Sequence, residues 1–181
     1  MSVGLEVDPA SAVAGKAIRG DAAARDRLFE ETYLRLLRYL GKLTNGNSAL
    51  AEELSQETMV RVIRSFERLR DPERFIPWVF RIATHVWRDY HRARTAKEAV
   101  DAAAPGAAAE PAERRELTDR VLRELSRLPE VYRVALTLRF LEGMEYEDMA
   151  EVLEVSAVTL RSHVARGRQM IRRQLEGDVE S

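Results

Sequence analysis

The strongest constraint in this chain is a helical repeat of apolar side chains through almost its whole length, with no stretch of strict alternation to make a strand. After Gly20-Asp21, which reads as an N-cap, Leu28, Tyr33, Leu36, Leu37 and Leu40 trace one stripe. "TNGNS" breaks it, and Ser48 caps a second helix to Leu69 with Leu50, Leu54, Met59, Val62, Ile63 and Phe66 at the same period. Asp71-Pro72 marks a turn. Pro77 fits the first turn of a third helix, where its missing N–H matters little, and "WVFRIATHVWRDYHRAR" carries that helix to Arg94.

Then the composition shifts. Residues 96–112 are rich in alanine with Pro105, Gly106 and Pro111 and hold almost nothing large to bury, which reads as a flexible linker. Beyond it, Leu117, Val121, Leu122, Leu125 and Leu128 share one side of a helix. Pro129 opens the next, "PEVYRVALTLRFL", and Gly143 ends it. "YEDMAEVLEV" is a short amphipathic helix, followed by a tight turn at 154–156 and an arginine-rich helix capped by Ser156. Two helices joined by a few residues, the second basic, make a helix-turn-helix. The expected fold is all-α: two small helical domains at 21–95 and 113–176, the second a helix-turn-helix, with tails at 1–20 and 177–181.

At 181 residues, 45% hydrophobic and 33% charged, the chain suits a soluble globular protein of one domain or two small ones. It has no cysteine, which removes disulfides and thiolate metal sites and fits a reducing cytoplasm. The start "MSVGLEVDPASAVAG" lacks the basic and apolar parts of a signal peptide, and no apolar run approaches the ~20 residues of a membrane span. A soluble, cytoplasmic protein without membrane insertion is expected.

The net charge of -1 hides an uneven distribution: residues 74–97 carry +5, residues 155–175 carry +5, and the remainder carries -11. Two basic patches on an acidic body suggest two contacts with a polyanion. In the C-terminal patch, Val158, Thr159, Arg161 and Ser162 fall where a recognition helix presents side chains to base edges, with His163 and Arg166 one turn later. Arg168, Arg172 and Arg173 fit phosphate contacts. In the N-terminal patch, Arg81, His85, Arg88 and Arg92 are spaced by 4, 3 and 4 and share one helix face, beside Phe80, Thr84, Trp87 and His91 on the neighbouring one. Charge beside aromatic rings suits single-stranded DNA. Trp78 reads as core, and Trp87 fits core or stacking equally.

Glu52, Glu53, Gln56 and Glu57 form an acidic cluster on the second helix, a solvated face or a docking patch for a basic partner. No metal-ligand pattern, phosphate loop or nucleophile elbow is present, so neither metal, cofactor nor catalysis is expected.

Together, "AEELSQETMVRVIRSFERL", "FIPWVFRIATHVWRDYHRAR" and "LSRLPEVYRVALTLRFLEGMEYEDMAEVLEVSAVTLRSHVARGRQMIRRQL" resemble an extracytoplasmic-function sigma factor of bacterial RNA polymerase. The resemblance implies a protein that binds core RNA polymerase, carries it to promoter DNA and is held inactive by an anti-sigma factor. It implies that Glu52, Glu53, Leu54, Gln56 and Glu57 dock on the polymerase clamp. Thr159, Arg161, Ser162 and Arg166 would read the upstream promoter element. Thr84 and His85 would stand where a flipped base of the downstream element is captured, with Arg88 and Arg92 on phosphates. Family members often break the helix there. Three departures stand out: Glu154 in place of a turn glycine, Gly167 inside the recognition helix, and His85 in place of asparagine. The rival readings are a free-standing helix-turn-helix regulator and a helical decoy that binds polymerase without reading promoters.

Overall fold

The computed structural model describes residues 9–98 and 116–177, which form helices and connecting turns and no strand. The N-terminal module holds α1 (Pro9–Ile18), α2 (Ala22–Leu43), α3 (Ser48–Ser65) and α4 (Phe75–Glu98); the C-terminal module holds α5 (Glu116–Arg127), α6 (Glu130–Leu136), α7 (Tyr146–Leu153) and α8 (Ala157–Gly177).

Several boundaries differ from the sequence reading. Residues 9–18, expected to be tail, form α1, which packs on α2 and on the turn at Pro72–Arg74. Its buried residues are small (Ser11, Ala14 and Ala17), so it shows no stripe of large apolar groups. Close approach of small side chains does the packing instead. The third helix runs on to Glu98, past the expected domain end at residue 95. The rest of the linker reading, the start of the second domain at 113–115 and the tail from 178 lie outside the described residues.

Side-chain caps fix the starts of α2, α3 and α8. Asp21 Oδ1 accepts from Ala24 N at 3.0 Å, as expected. At α3 the cap is Asn47, whose Oδ1 accepts from Leu50 N at 3.1 Å, and Ser48 is the first helical residue. The same helix stops at Ser65, short of Leu69, and a tighter turn at Phe66–Arg68 follows. The segment after Pro129 also changes pitch: α6 ends at Leu136, and a wider π turn spans Thr137–Leu141. Gly143, with φ +68°, then reverses the chain as the C-cap reading required.

One continuous apolar core runs through both modules. Its largest fully buried side chains include Trp87, Tyr39, Phe75 and Phe80 from the N-terminal module and Met149, Leu138 and Leu160 from the C-terminal one. α4 is the central element: it packs on α1, α2 and α3 within its own module and on α7 of the other.

Candidate nucleic-acid interface

The recognition helix α8 is fixed at its start by Ser156, whose Oγ accepts from Thr159 N at 3.1 Å and lies 2.9 Å from the Thr159 hydroxyl. Just before it, Glu154 takes φ +58°, the left-handed conformation that the turn demands and that glycine would adopt without strain. Leu160 and Val164 seat α8 on the module's core. That orientation leaves Val158 (73% exposed), Thr159, Arg161, Ser162 and Arg166 facing outward. A bare valine beside hydroxyls and guanidinium groups can meet a thymine methyl and hydrogen-bonding base edges. Arg161 is held at its guanidinium: its Nη2 donates to Glu147 at 3.2 Å, and the group lies 5.0 Å from the Tyr146 ring centre. Arg168 and Arg172 are exposed further along, Arg168 lying over the Phe140 ring at 5.8 Å.

His163 does not join that face. It is half-buried and packs edge-on against Tyr132 at 5.6 Å, so it braces α8 on α6. Gly167 has a packing cause, since a Cβ there would stand 2.9 Å from Leu136 Cδ1 and 3.2 Å from Tyr132 Cβ. Only a glycine lets α6 and α8 cross this closely without a shift.

On α4 the helix is unbroken from Phe75 to Glu98, so Arg81, His85, Arg88 and Arg92 do share one face. Thr84 does not belong to it. It is fully buried, its hydroxyl donating to Phe80 O at 2.7 Å and bonding the Tyr39 hydroxyl at 2.8 Å, and burial pushes the Tyr39 phenol pKa up. Thr84 therefore ties α4 to α2 and cannot touch DNA in this structure. Trp87 resolves as core at 1% exposure, whereas Trp78 is only partly buried. Arg88 Nε donates to Glu130 at 3.1 Å, His85 Nε2 stands 3.7 Å from Glu154 Oε2, and Arg92 pairs with Asp89 on its own helix.

The acidic patch on α3 is exposed at Glu52, Glu53, Gln56 and Glu57, while Leu54 points into the core. Gln56 Nε2 donates to Glu52 at 3.4 Å and Arg61 Nη2 to Glu57 at 2.6 Å. Sequence reasoning placed Ile63 in the core stripe and passed over Val60; both are exposed, at 53% and 45%, one to two turns beyond the acids. The patch is thus acidic at one end and apolar at the other. A second apolar surface, a groove lined by Val121, Leu125, Phe140, Leu141 and Ile171, opens where the π turn pushes Phe140 and Leu141 outward.

A family model of sigma-70 region 2 matches residues 28–97, and one of sigma-70 region 4 matches residues 118–171. The chain belongs to the sigma-70 family. Within that family it is similar to the extracytoplasmic-function group. It is 29% identical to the ECF RNA polymerase sigma-E factor of Haemophilus influenzae over 62% of this chain and 67% of that protein. It is 30% identical to the same factor of Escherichia coli K12 over 59% and 64%. The match spans about two thirds of the length of these curated relatives. The fold of this sigma-family chain is shared with the sigma factor RpoE of Bartonella quintana, solved with the anti-sigma factor NepR. The TM-score is 0.75 at 21% identity, over 83% of this chain and 96% of that one. It is shared also with CnrH, solved with the cytosolic domain of CnrY, at TM-score 0.66 and 22% identity over 94% and 99%. The N-terminal module is thus region 2 and the C-terminal module region 4. No described helix is long and apolar enough to cross a membrane.

Proposed function

We propose that this chain is a sigma factor that binds core RNA polymerase, directs promoter-specific transcription initiation and is regulated by an anti-sigma factor. The observation that carries the reading is the pairing, on one chain, of an outward recognition face on α8 with a separate basic face on α4. In this scheme Val158, Thr159, Arg161, Ser162 and Arg166 read the upstream element, with Arg168 and Arg172 on the backbone. Arg81, His85, Arg88 and Arg92 hold the downstream strand. Binding energy for the melted strand offsets unstacking, so the chain itself need not hydrolyse anything. Glu52, Glu53, Gln56 and Glu57, extended by Val60 and Ile63, form the polymerase-docking patch, and Leu54 supports it from below.

A free-standing regulator leaves the α3 patch without a role. Anti-sigma control is supported by one structural relative, the sigma factor of Bartonella quintana, solved with the anti-sigma factor NepR. Run-off transcription with purified core polymerase on genomic promoter fragments tests the proposal. Promoter-specific transcripts are expected, and failure to capture core polymerase in a pull-down refutes it. Glu53→Lys with Gln56→Ala should weaken capture, and Arg161→Ala should reduce upstream-element binding by about 1–3 kcal/mol. Unchanged affinity removes the corresponding assignment.

A further inference from the structure

Arg161 stands one turn into α8 on its outward face, and α7 holds it there in two ways. Glu147 Oε1 accepts from Arg161 Nη2 at 3.2 Å, and the Tyr146 ring centre lies 5.0 Å from the guanidinium carbon. The ring is itself fixed. Tyr146 is half-buried against the core at the start of α7, and the Arg139 guanidinium approaches the same ring at 5.1 Å. Arg139 Nη1 also donates to Met144 O at 2.6 Å and to Glu145 Oε1 at 3.0 Å, which pins the two residues leading into Tyr146. The restraint on Arg161 thus runs from Arg139 in the π turn through α7 to α8.

Charge alone gives Glu147 no use beside a recognition face, because a carboxylate there repels the phosphates that the face must approach. Orientation does. A guanidinium carries five N–H donors, arranged so that Nε with Nη2, and Nη1 with Nη2, each form a two-donor edge that matches the paired acceptors of guanine. Glu147 takes one Nη2 proton, and the other keeps one such edge whole. We infer that Tyr146 and Glu147 are positioning residues for promoter selectivity, holding Arg161 with a two-donor edge set for a guanine of the upstream element. This rests on the reading of Arg161 as a base-contacting residue. Arg161 and Glu147 are 53% and 70% exposed, so their ion pair is weak by itself, and ring and carboxylate define the orientation together. A base that Arg161 cannot bond gains nothing from a pre-set guanidinium, so the benefit falls on guanine alone. Releasing one side-chain torsion into three staggered wells leaves the arginine competent about a third of the time, which lowers the preference about threefold.

The test uses holoenzyme, the full chain on purified core polymerase, with linear promoter duplexes randomised over the upstream element and barcoded in the transcribed part. Sequenced run-off transcripts give the base preference at each position for every variant. Arg161→Ala should erase a preference for guanine at one base pair and so mark the position that Arg161 reads. Glu147→Ala and Tyr146→Leu should each lower the preference there about threefold and leave the other positions as in the parent. Tyr146→Phe should restore it, because the ring and not the hydroxyl meets Arg161. Glu147→Ala also removes an acid from the first turn of α7, but a weakened helix end cannot act on a single base pair. Preferences blunted alike at every position, preferences unchanged in the two α7 variants, or an Arg161→Ala loss at a base other than guanine overturn the inference. An Arg161→Ala holoenzyme with every preference intact instead removes the base-contacting reading of Arg161 itself.

Discussion

Gly167→Ala sets helix propensity against packing, and the structure decides the sign. Alanine is favoured over glycine inside a helix by about 1 kcal/mol. At Gly167, however, the added Cβ would meet Leu136 Cδ1 at 2.9 Å, Leu136 Cγ at 3.2 Å and Tyr132 Cβ at 3.2 Å. The Leu136 methyl could rotate, but that residue is itself buried, and Tyr132 Cβ moves only with the backbone of α6. Overpacking of this kind costs about 1–3 kcal/mol. Set against the propensity gain, the substitution should destabilise region 4 by about 1 kcal/mol. Gly41 is the internal control, because it lies inside α2 with nothing within 4 Å of its would-be Cβ. Gly41→Ala should therefore stabilise region 2 by about 1 kcal/mol. Urea unfolding followed by circular dichroism compares the two against the parent. A Gly167→Ala chain stabilised as much as Gly41→Ala would show that the close crossing of α6 and α8 carries no constraint.

Other substitutions probe the left-handed turn, the buried hydroxyl pair and the Arg35–Glu142 pair. Glu154→Gly relieves a left-handed residue and should raise the thermal midpoint, gaining at most about 1 kcal/mol; a lower midpoint would mean that the His85 contact outweighs the strain. Thr84→Val leaves the buried Tyr39 hydroxyl without its partner and should cost about 1–3 kcal/mol, whereas Thr84→Val with Tyr39→Phe should recover much of that loss. Lost oligonucleotide binding at unchanged stability would instead return Thr84 to the DNA surface. Burial raises the Glu142 pKa above its ordinary value of 4.5 despite Arg35 beside it. A raised carboxyl pKa contributes stability that is full below 4.5 and is lost as pH rises through the folded value. Glu142→Gln should remove that loss, so urea midpoints of parent and variant should diverge, with the variant gaining, as pH rises from about 4 to 7. Parallel midpoints across that range refute it.

The charge pattern was legible in the sequence, but part of its use was not. The acidic remainder shows in the sequence only as a sum; in the fold Glu130, Glu142 and Glu151 meet arginines of the same chain, and Glu154 faces His85. Likewise, the periodicity of α3 offered both Val62 and Ile63 to a core that takes only Val62. A helix repeat marks an apolar stripe about 100° wide, and the neighbouring helices choose which part of it they cover.

What the sequence determined by itself is local: helical periodicity, the caps at Asp21 and Ser156, the turn at Glu154, the basic outward face of α8 and the shared face of Arg81, His85, Arg88 and Arg92 on α4. These follow from backbone sterics and from interactions within a turn or two. Tertiary packing alone decided that α1 joins the core through small residues, that Thr84 and Trp87 face inward, that Gly167 lies under α6, and that Arg88 meets Glu130 of region 4. Each of those depends on groups far apart in the chain meeting across helices, which no local pattern specifies.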